Sequence, residues 1–239
     1  MKFDRKTVTH DQFLSDEELV TLYGFMNDHA RDSRWTERFA TVRHALGTGS
    51  RVSEMINLVL SEETITGPIN FCRPDGYLYL RKWKDTTGKH HQNRERVVKV
   101  IPEYLPYYQA RWHQLKREGF NVLFPNTLTG EDVITTRILQ RRWAETLRAA
   151  GLIKWGRNPK QGIHCGRHTY ATHELAYRRG MTPHLMQYLL GHKHQEETMS
   201  VYNHAIVGIW NLYEETGTEP QWWAVAAAPF TERKLRIAR

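Results

Sequence analysis

The chain has 239 residues, of which 40% are hydrophobic and 25% are charged, so it can bury the core of one domain with a short appendage. Its 34 Lys and Arg residues outnumber 26 Asp and Glu residues, and the resulting net charge of +8 favours a polyanionic partner. Two cysteines, no signal-like N-terminal segment and no apolar run near the roughly 20 residues that span a bilayer exclude a disulfide-rich secreted domain and a membrane-spanning protein. We therefore expect a cytoplasmic protein.

Helices dominate the elements that the sequence predicts. Ser15 and Glu18 form a capping box, which predicts a helix over 16–29. Apolar spacing predicts further helices over 34–46, 51–60, 103–118, 135–150, 167–179, 183–190 and 204–215. Glycines are expected to end several of these helices, at positions 47, 151, 180 and 191. Alternating segments at 77–83 and 96–101 predict a hairpin, so we expect an α+β, mainly helical fold with a small antiparallel β-sheet.

The last segment of the chain differs from the rest. Residues 216–239 include the linker-like sequence Gly-Thr-Glu-Pro from residue 217, continue with Trp222, Trp223 and alanines, and end in basic residues. We expect one domain over 1–215 and a linker with an arm over 216–239. Because the apolar part of the arm would otherwise form an exposed patch, two arrangements stay open: it packs onto a neighbouring protomer, or it folds back on its own domain.

Charge is unevenly distributed along the chain. Residues 1–37 carry five basic and eight acidic side chains, whereas residues 137–179 carry ten basic and two acidic ones. A second basic segment, 81–99, has seven basic and two acidic side chains. If the two basic segments fold against each other, they form one positive face suited to a phosphate backbone; two separately solvated faces are the alternative.

Three short segments carry side chains suited to phosphate chemistry. Arg51 follows a glycine turn at a predicted helix start, and His164 and Arg167 lie one helical turn apart. His192 follows Leu-Gly at the end of a predicted helix, and Tyr202 comes ten residues later. Arginine presents a planar fork that matches two phosphate oxygens, and helix N-termini attract anions. Each segment alone equally suits a capped surface helix, so the prediction depends on their combination.

These segments resemble the tyrosine recombinase (phage integrase) family. The matching segments are TGSRVSEMINL at 48–58, HCGRHTYATHEL at 164–175, LMQYLLGH at 185–192 and TMSVYNH at 198–204. The resemblance covers about residues 10–215 and implies the catalytic-domain architecture of that family for 1–215. It also implies cutting and rejoining of double-stranded DNA without metal or cofactor: a tyrosine attacks a phosphodiester, leaves a 3′-phosphotyrosyl link and a free 5′-hydroxyl, and a second strand reverses the step.

The resemblance assigns roles to matching residues of this chain. It implies that Tyr202 is the nucleophile, that Arg51 and Arg167 stabilise the transition state, and that His164 and His192 assist with proton positions. The chemistry of the side chains agrees, because phosphoryl transfer needs positive donors around the phosphate. A phenol with a pKa near 10 also needs nearby positive charge or a base to attack.

The family's general acid is a lysine in the hairpin, and the resemblance leaves two candidates. Lys84 best fits the family position, because it ends the first predicted strand and alternates with Leu78 and Leu80 on the inward face. Lys89, in the predicted loop, is the second candidate. Two other tyrosines compete with the proposed nucleophile and are expected to pack instead, at positions 188 and 213.

Three features depart from the family pattern. Gly166 stands where the family usually has an apolar residue, which predicts a looser placement of Arg167. The spacing from His192 to Tyr202 is one residue longer than is common. The first motif arrives only about fifty residues into the chain, so we expect either a minimal single-domain recombinase or the catalytic part of a longer protein.

The expected partner is double-stranded DNA, on which a protomer that is monomeric in solution assembles as a homo-tetramer. No membrane partner is expected, and the protein would associate with the nucleoid if its source is bacterial. No metal is expected either. The histidines at 90–91 and at 192 and 194 have a spacing that arises by chance, and we expect them to lie in solvated loops. A DNA-binding regulator without strand exchange and a topoisomerase-like enzyme are the alternatives. Integration, excision, inversion and resolution stay open as outcomes.

Overall fold

The computed structural model describes residues 12–56, 58–81, 95–127, 129–130, 134–154, 156, 158–178, 180–192 and 219–227. The helices are α1 (Asp16–Asp28), α2 (Thr36–Thr48), α3 (Val52–Met55), α4 (Leu105–Arg117), α5 (Thr136–Ala149), α6 (His164–Tyr177), α7 (Pro183–Leu190) and α8 (221–227). The strands are β1 (Val59–Leu60), β2 (Phe71–Cys72), β3 (Tyr77–Leu80) and β4 (Arg96–Lys99). None of the helices in these ranges is both long and apolar enough to cross a membrane.

The sheet has the strand order β1-β2-β3-β4. The predicted hairpin is confirmed: β3 and β4 pair antiparallel, with Leu78 opposite Val98 and Leu80 opposite Arg96. β2 also pairs antiparallel with β3, while β1 and β2 are parallel. The sheet is therefore mixed and mostly antiparallel, and two of its strands, β1 and β2, were not predicted from the sequence.

The prediction of a helix over 51–60 is wrong beyond its first turn. α3 ends at Met55, Ile56 has the extended dihedral angles φ −67° and ψ 132°, and Val59 already lies in β1. Short apolar runs suit a buried strand as well as a helix, and periodicity alone does not separate them. Burial decides here, because Leu58 and Leu60 point into the core.

The predicted stop of the second helix at Gly47 is also wrong. α2 continues to Thr48 and ends at Gly49, which has a left-handed φ of 60°. Gly47 is needed for close packing, because a Cβ there would lie 2.5 Å from Cδ1 of Tyr104. A glycine inside a helix therefore marked a tight contact, not the helix end.

α2 is the central helix of the molecule. Its last ten residues, 39–48, are all buried, and it packs against both α5 and α6. The core around it is rich in aromatic side chains, including Tyr23, Trp112 and Trp143. This packing fixes the C-terminal end of α2, from which the chain runs directly into Gly49 and Arg51.

The described part of the arm, 219–227, folds back on its own domain. The indole of Trp222 stacks on Tyr23 with 5.7 Å between ring centroids, and the Arg178 guanidinium lies 4.1 Å from the centre of the Trp223 ring. Asn27 of α1 donates a 2.9 Å hydrogen bond to the carbonyl of Val225. Of the two arrangements left open by the sequence, the fold-back is the one observed for these residues.

Candidate active site

Three arginines meet at the C-terminal end of α7. The carbonyls of Leu189, Leu190 and Gly191 each accept a hydrogen bond from a different guanidinium, and the three donors are Arg96 at 2.9 Å, Arg167 at 2.5 Å and Arg51 at 3.3 Å. The last carbonyls of a helix lack partners within the helix, and the helix dipole favours positive charge there. The end of α7 is therefore a natural meeting point for residues from three distant parts of the chain.

Arg167 is the most buried of the arginines predicted to be functional. It lies in the first turn of α6, is 2% exposed, and donates a second hydrogen bond, of 2.8 Å, to the carbonyl of Gly49. Two carbonyls on opposite sides fix the plane of its guanidinium. Neither acceptor is a carboxylate, so these contacts orient the positive charge without cancelling it.

Arg51 is held at the rim of the same site. Its backbone N–H donates a 2.8 Å hydrogen bond to Glu54, and its Nη1 lies 3.2 Å from the Glu54 carboxylate. About a third of its side chain, 32%, remains exposed. The arginine behind the Gly49 turn is therefore anchored on one side and open to solvent on the other.

His192 is placed by the way α7 ends. Gly191 adopts a left-handed φ of 63°, and the N–H of His192 donates a 3.1 Å hydrogen bond back to the carbonyl of Gln187. This closure satisfies a helix-end carbonyl and directs the chain back toward the arginines. The predicted helix over 183–190, with Gly191 as its stop, is confirmed.

The imidazoles of the site are held in the neutral form. Burial, followed by the charges of Arg167 and Arg51, lowers the pKa of His192 to about 3. The same causes lower the pKa of His164 to about 4, although this residue is exposed overall and solvent screens part of the effect. The rings of His164 and His168 meet edge to face at 4.5 Å. The site thus combines fixed positive charges with imidazoles that are neutral near pH 7.

We expect bound phosphate to reduce the part of these pKa shifts that the arginine charges cause. An anion between the arginines offsets their charge, so the pKa values of His164 and His192 should rise when inorganic phosphate binds. Without phosphate, neither ring should titrate between pH 5 and pH 8 in histidine NMR spectra, with His164→Gln used for assignment. A titration near pH 6.5 in the free protein would contradict the burial of these rings beside the arginines.

The family assignment rests on a match over most of the chain. Residues 12–207 match the model described as the phage integrase family. The chain belongs to that family. No curated protein matches the sequence.

Solved structures extend the comparison of this phage integrase family member to the fold. XerA recombinase superposes with a TM-score of 0.58 at 21% identity, over 85% of this chain and 64% of that chain. A lambda integrase dimer bound to a COC′ core site gives 0.53 at 17% identity, over 86% and 49% of the two chains. The Tn1549 transposon integrase in complex with transposon right end DNA gives 0.55 at 20% identity, over 91% and 68%.

These similarities establish the architecture of the family member. The expected tyrosine recombinase catalytic-domain fold, mainly helical with a small sheet, is confirmed. The chain spans less than two thirds of the XerA chain and about half of the lambda integrase chain.

The predicted loosening at Gly166 is not what the structure shows. A Cβ at this position would lie 2.9 Å from Cβ of Ala45 and 3.0 Å from the Trp143 indole. Trp143 is fully buried and occupies the space that a larger residue at 166 would need. The core anchor therefore comes from α5, and Arg167 keeps both of its carbonyl contacts.

α6 differs from its prediction in its bounds. It begins at His164, not at residue 167, and ends at Tyr177. His164 and Arg167 are therefore one turn apart on a continuous helix, as their spacing predicted. Gly180 is not its C-cap, because the capping residue is Arg178.

Three of the predicted chemical residues lie outside the described residues: Lys84, Lys89 and Tyr202. The competing Tyr188 lies on α7, where it is 48% exposed and its hydroxyl oxygen accepts a 3.1 Å hydrogen bond from the N–H of Val97. The prediction that it packs is thus only partly met, and the other competitor, Tyr213, also lies outside the described residues. Cys165 is 3% exposed, and burial raises the pKa of its thiol to about 12, so it is not a thiolate nucleophile.

Sequence reasoning missed two charged residues of the site, Glu54 and Arg96. Arg96 contacts both oxygens of the Glu54 carboxylate at 2.7 Å, and the two side chains are 2% and 1% exposed. The alternation of β4 carried a signal, because Arg96 shares its buried face with Val98. A charge on that face requires a partner of opposite charge. Within the described residues, no group of three or more potential ligand side chains is arranged to hold a metal ion.

Proposed function

We propose that this chain is a site-specific DNA recombinase that cuts and rejoins DNA through a 3′-phosphotyrosyl intermediate. One observation carries the proposal: Arg51 and Arg167, which are 116 residues apart in sequence, are held side by side on adjacent carbonyls at the end of α7. Two guanidiniums fixed in this way suit a phosphodiester whose oxygens gain charge as the tyrosine attacks. Membership of the phage integrase family supports the same reaction.

The reaction assigns each bond change to one group. The Tyr202 oxygen attacks phosphorus, its phenol proton passes to the neutral imidazole of His164 or His192, and the bond from phosphorus to the 5′-oxygen breaks. The electron pair goes to that oxygen, which takes a proton from Lys84. A 5′-hydroxyl of a second strand then attacks the phosphotyrosyl link and gives its proton to the now neutral Lys84, while the released Tyr202 oxygen takes its proton back from the imidazole. Arg51 and Arg167 stabilise the charge on the phosphate in both steps.

The placement of the two strand ends supports a lysine role for the segment between them. Leu80 and Arg96 are register partners at the ends of β3 and β4, and Arg96 contacts Glu54 of the site. The chain that carries Lys84 and Lys89 therefore leaves and re-enters the sheet beside the arginines. Leu78 and Leu80 are buried, which agrees with the inward face that the alternation assigns to Lys84.

His164 and His192 complete the proposed site. Because burial, and after it the charges of Arg167 and Arg51, lowers the pKa of both imidazoles, each ring has one N–H donor and one acceptor near pH 7. Neutral imidazoles can donate a hydrogen bond to a phosphate oxygen or accept a proton from the attacking phenol.

Double-stranded DNA is the proposed partner, and the exposed face of α5 supports it. A groove of about 700 Å³ between α5 and the turn before α6 is lined by arginines and amides, including Arg137, Arg141, Arg148, Gln140 and Asn158. Positive charge and amide donors suit a phosphate backbone. We also propose domain bounds of 1–215 and 216–239, and action in the cytoplasm, on nucleoid DNA if the source is bacterial.

Strand exchange between two duplexes requires four active sites, so we propose a homo-tetramer on DNA and a monomer in solution. The Tyr202→Phe variant cannot cleave DNA, so its oligomeric state can be measured by sedimentation both without DNA and with duplex DNA that carries the target sites. A stable tetramer without DNA, or a monomer bound to cleavable sites, would contradict the proposal.

Covalent trapping tests the proposed reaction. The protein is incubated in EDTA with nicked duplexes tiled across the DNA that flanks its gene, and SDS-resistant protein–DNA complexes are detected. We expect a complex with the wild type and with Tyr188→Phe, and none with Tyr202→Phe. A complex that persists in Tyr202→Phe would exclude this nucleophile. DNA binding without any complex would favour the DNA-binding regulator.

A further inference from the structure

Two arginines contact the Glu54 carboxylate, and they differ in their distances to its oxygens. Nη2 of Arg96 lies 2.7 Å from both carboxylate oxygens, whereas Nη1 of Arg51 reaches one oxygen at 3.2 Å. Charge-assisted hydrogen bonds near 2.7 Å are the strong ones, so Arg96 is the principal partner of the carboxylate.

Burial separates the two arginines further. The side chains of Arg96 and Glu54 are 2% and 1% exposed, whereas that of Arg51 is 32% exposed. Arg96 and Glu54 thus form a buried, internally neutral pair, and Arg51 keeps its positive charge on the open side. Without Arg96, the same carboxylate would be left with Arg51 as its direct ion-pair partner among the described residues.

Arg96 also holds the segment that leads to His192. Its Nε donates to the carbonyl of Leu189 at 2.9 Å, and its Nη1 lies 2.7 Å from where a Cβ of Gly191 would be. Gly191 therefore meets two demands, a left-handed φ and room for the Arg96 guanidinium. One side chain of β4 links the α3 motif to the end of α7.

We propose that Arg96 is a positioning residue, which occupies the Glu54 carboxylate so that Arg51 remains available to a phosphate. The inference deepens and rests on the proposed recombinase function, because it concerns the same phosphate site. Arg96 itself is buried and does not contact the DNA; it acts through Glu54 and through the end of α7.

The charges around Glu54 predict how the site responds when Arg96 is removed. Burial acts to raise the pKa of Glu54, but the charges of Arg96, Arg167 and Arg51 outweigh it, so the pKa lies below its usual value. His44 of α2 also faces this carboxylate and is neutral, because burial and the charge of Arg111 lower its pKa to about 3. Loss of Arg96 leaves Arg167 and Arg51 as the positive charges, and the pKa of Glu54 rises.

The test compares Arg96→Gln with the double variant Arg96→Gln/Glu54→Gln. In the single variant the Glu54 carboxylate pairs with Arg51, so Arg51 no longer donates to the phosphate. We therefore expect covalent complex formation to slow about 100-fold, the effect of losing one preorganised donor. In the double variant position 54 carries no carboxylate to pair with Arg51. The rate of covalent complex formation should therefore return to within about tenfold of the rate of the Glu54→Gln single variant. Because Glu54→Gln also removes the buried unpaired carboxylate that Arg96→Gln leaves, and so restores stability, each rate is divided by the folded fraction. Rescue that persists per folded molecule supports the positioning role, whereas rescue of the folded fraction alone would show a structural one.

The pH profile gives an independent reading of the same variants. Because loss of Arg96 raises the pKa of Glu54, the carboxylate begins to be protonated at a higher pH in Arg96→Gln than in the wild type, and the variant should become faster relative to wild type as the pH is lowered. The double variant should lack this relative rise. Arg178→Gln is the matched control: it breaks another ion pair, with Glu103 at 2.9 Å, and should change stability without this pH response.

Binding of inorganic phosphate to the DNA-free protein separates this inference from the proposed function. We expect Arg96→Gln to weaken phosphate binding about tenfold and the double variant to restore it, measured through the His164 and His192 resonances. If the wild type forms no Tyr202-dependent complex, the recombinase proposal fails and phosphate binding alone decides on Arg96. Unchanged phosphate binding in Arg96→Gln, or a double variant as impaired as the single, would overturn the inference.

Discussion

Replacing Arg167 with glutamine should reduce the rate of covalent complex formation by about 1,000-fold, near the upper range for losing one preorganised donor. The guanidinium is 2% exposed and donates to the carbonyls of Gly49 and Leu190. Its removal eliminates a fixed positive charge from the phosphate site and leaves one or both buried carbonyls without a donor. The rate is measured on nicked duplex DNA and divided by the folded fraction from urea unfolding.

Arg167→Lys is the matched control for that substitution. A lysine retains the charge but cannot bridge two carbonyls with a planar fork, so we expect an intermediate rate. Both variants should also lose stability, by about 1–3 kcal/mol for each buried carbonyl left without its partner. An Arg167→Gln rate within tenfold of the wild type, per folded molecule, would remove this residue from the catalytic group.

The protein should lose stability as the pH falls, because buried histidines resist protonation in the folded state. Histidines 44, 168 and 192 have pKa values lowered to about 3, first by burial and then by neighbouring charged or imidazole groups. Below their unfolded pKa near 6.5 the unfolded chain binds protons that the folded chain does not. Stability contributed by these rings is therefore complete above pH 6.5 and is lost as the pH falls toward 3.

Much of the fold followed from local signals in the sequence. The Ser15 capping box is present, with Glu18 Oε2 accepting from the Ser15 N–H at 2.8 Å, and α1 begins where it was predicted. α5 and α7 also match their predicted bounds within one residue. In α1 the cap and the apolar face agree on one element, and in α5 and α7 the glycine after the last turn, Gly151 or Gly191, agrees as well.

The errors occurred where tertiary contacts decide. Gly47 resembled a helix stop, but it lies inside α2 because Tyr104 packs against its backbone. Residues 59–60 continued a helical apolar pattern, yet they form β1 beside β2. Neither neighbour is close in sequence, so no local pattern contained the information.

The site divides in the same way between local and tertiary signals. The motifs identified Arg51, His164, Arg167 and His192, because the family resemblance marks these side chains directly. Glu54 and Arg96 became visible only when β4 was placed against α3. What joins the three arginines is the end of α7, whose last carbonyls need donors from elsewhere in the chain. A helix C-terminus thus gathers arginines that the sequence scatters over 116 residues.

Restoring the family's usual apolar residue at position 166 should harm this chain. Gly166→Leu introduces atoms where a Cβ alone would already lie 2.9 Å from Ala45 and 3.0 Å from Trp143. Leucine favours a helix over glycine by nearly 1 kcal/mol, but overpacking of a rigid core costs about 1–3 kcal/mol and sometimes more. We expect a net loss of about 2 kcal/mol in the free energy of unfolding, because the fully buried indole leaves no space to relax.

Gly162 provides the matched control, because no atom lies within 4 Å of a Cβ built there and its φ is −81°. Gly162→Leu should therefore change the unfolding free energy by less than about 0.5 kcal/mol. Combining Gly166→Leu with Trp143→Ala should cost at least about 1 kcal/mol less than the sum of the two single changes, since the leucine fills the space left by the indole. Strict additivity in this cycle, or a stabilised Gly166→Leu, would show that Trp143 does not replace the missing side chain, and the anchoring of Arg167 through α5 would have to be abandoned.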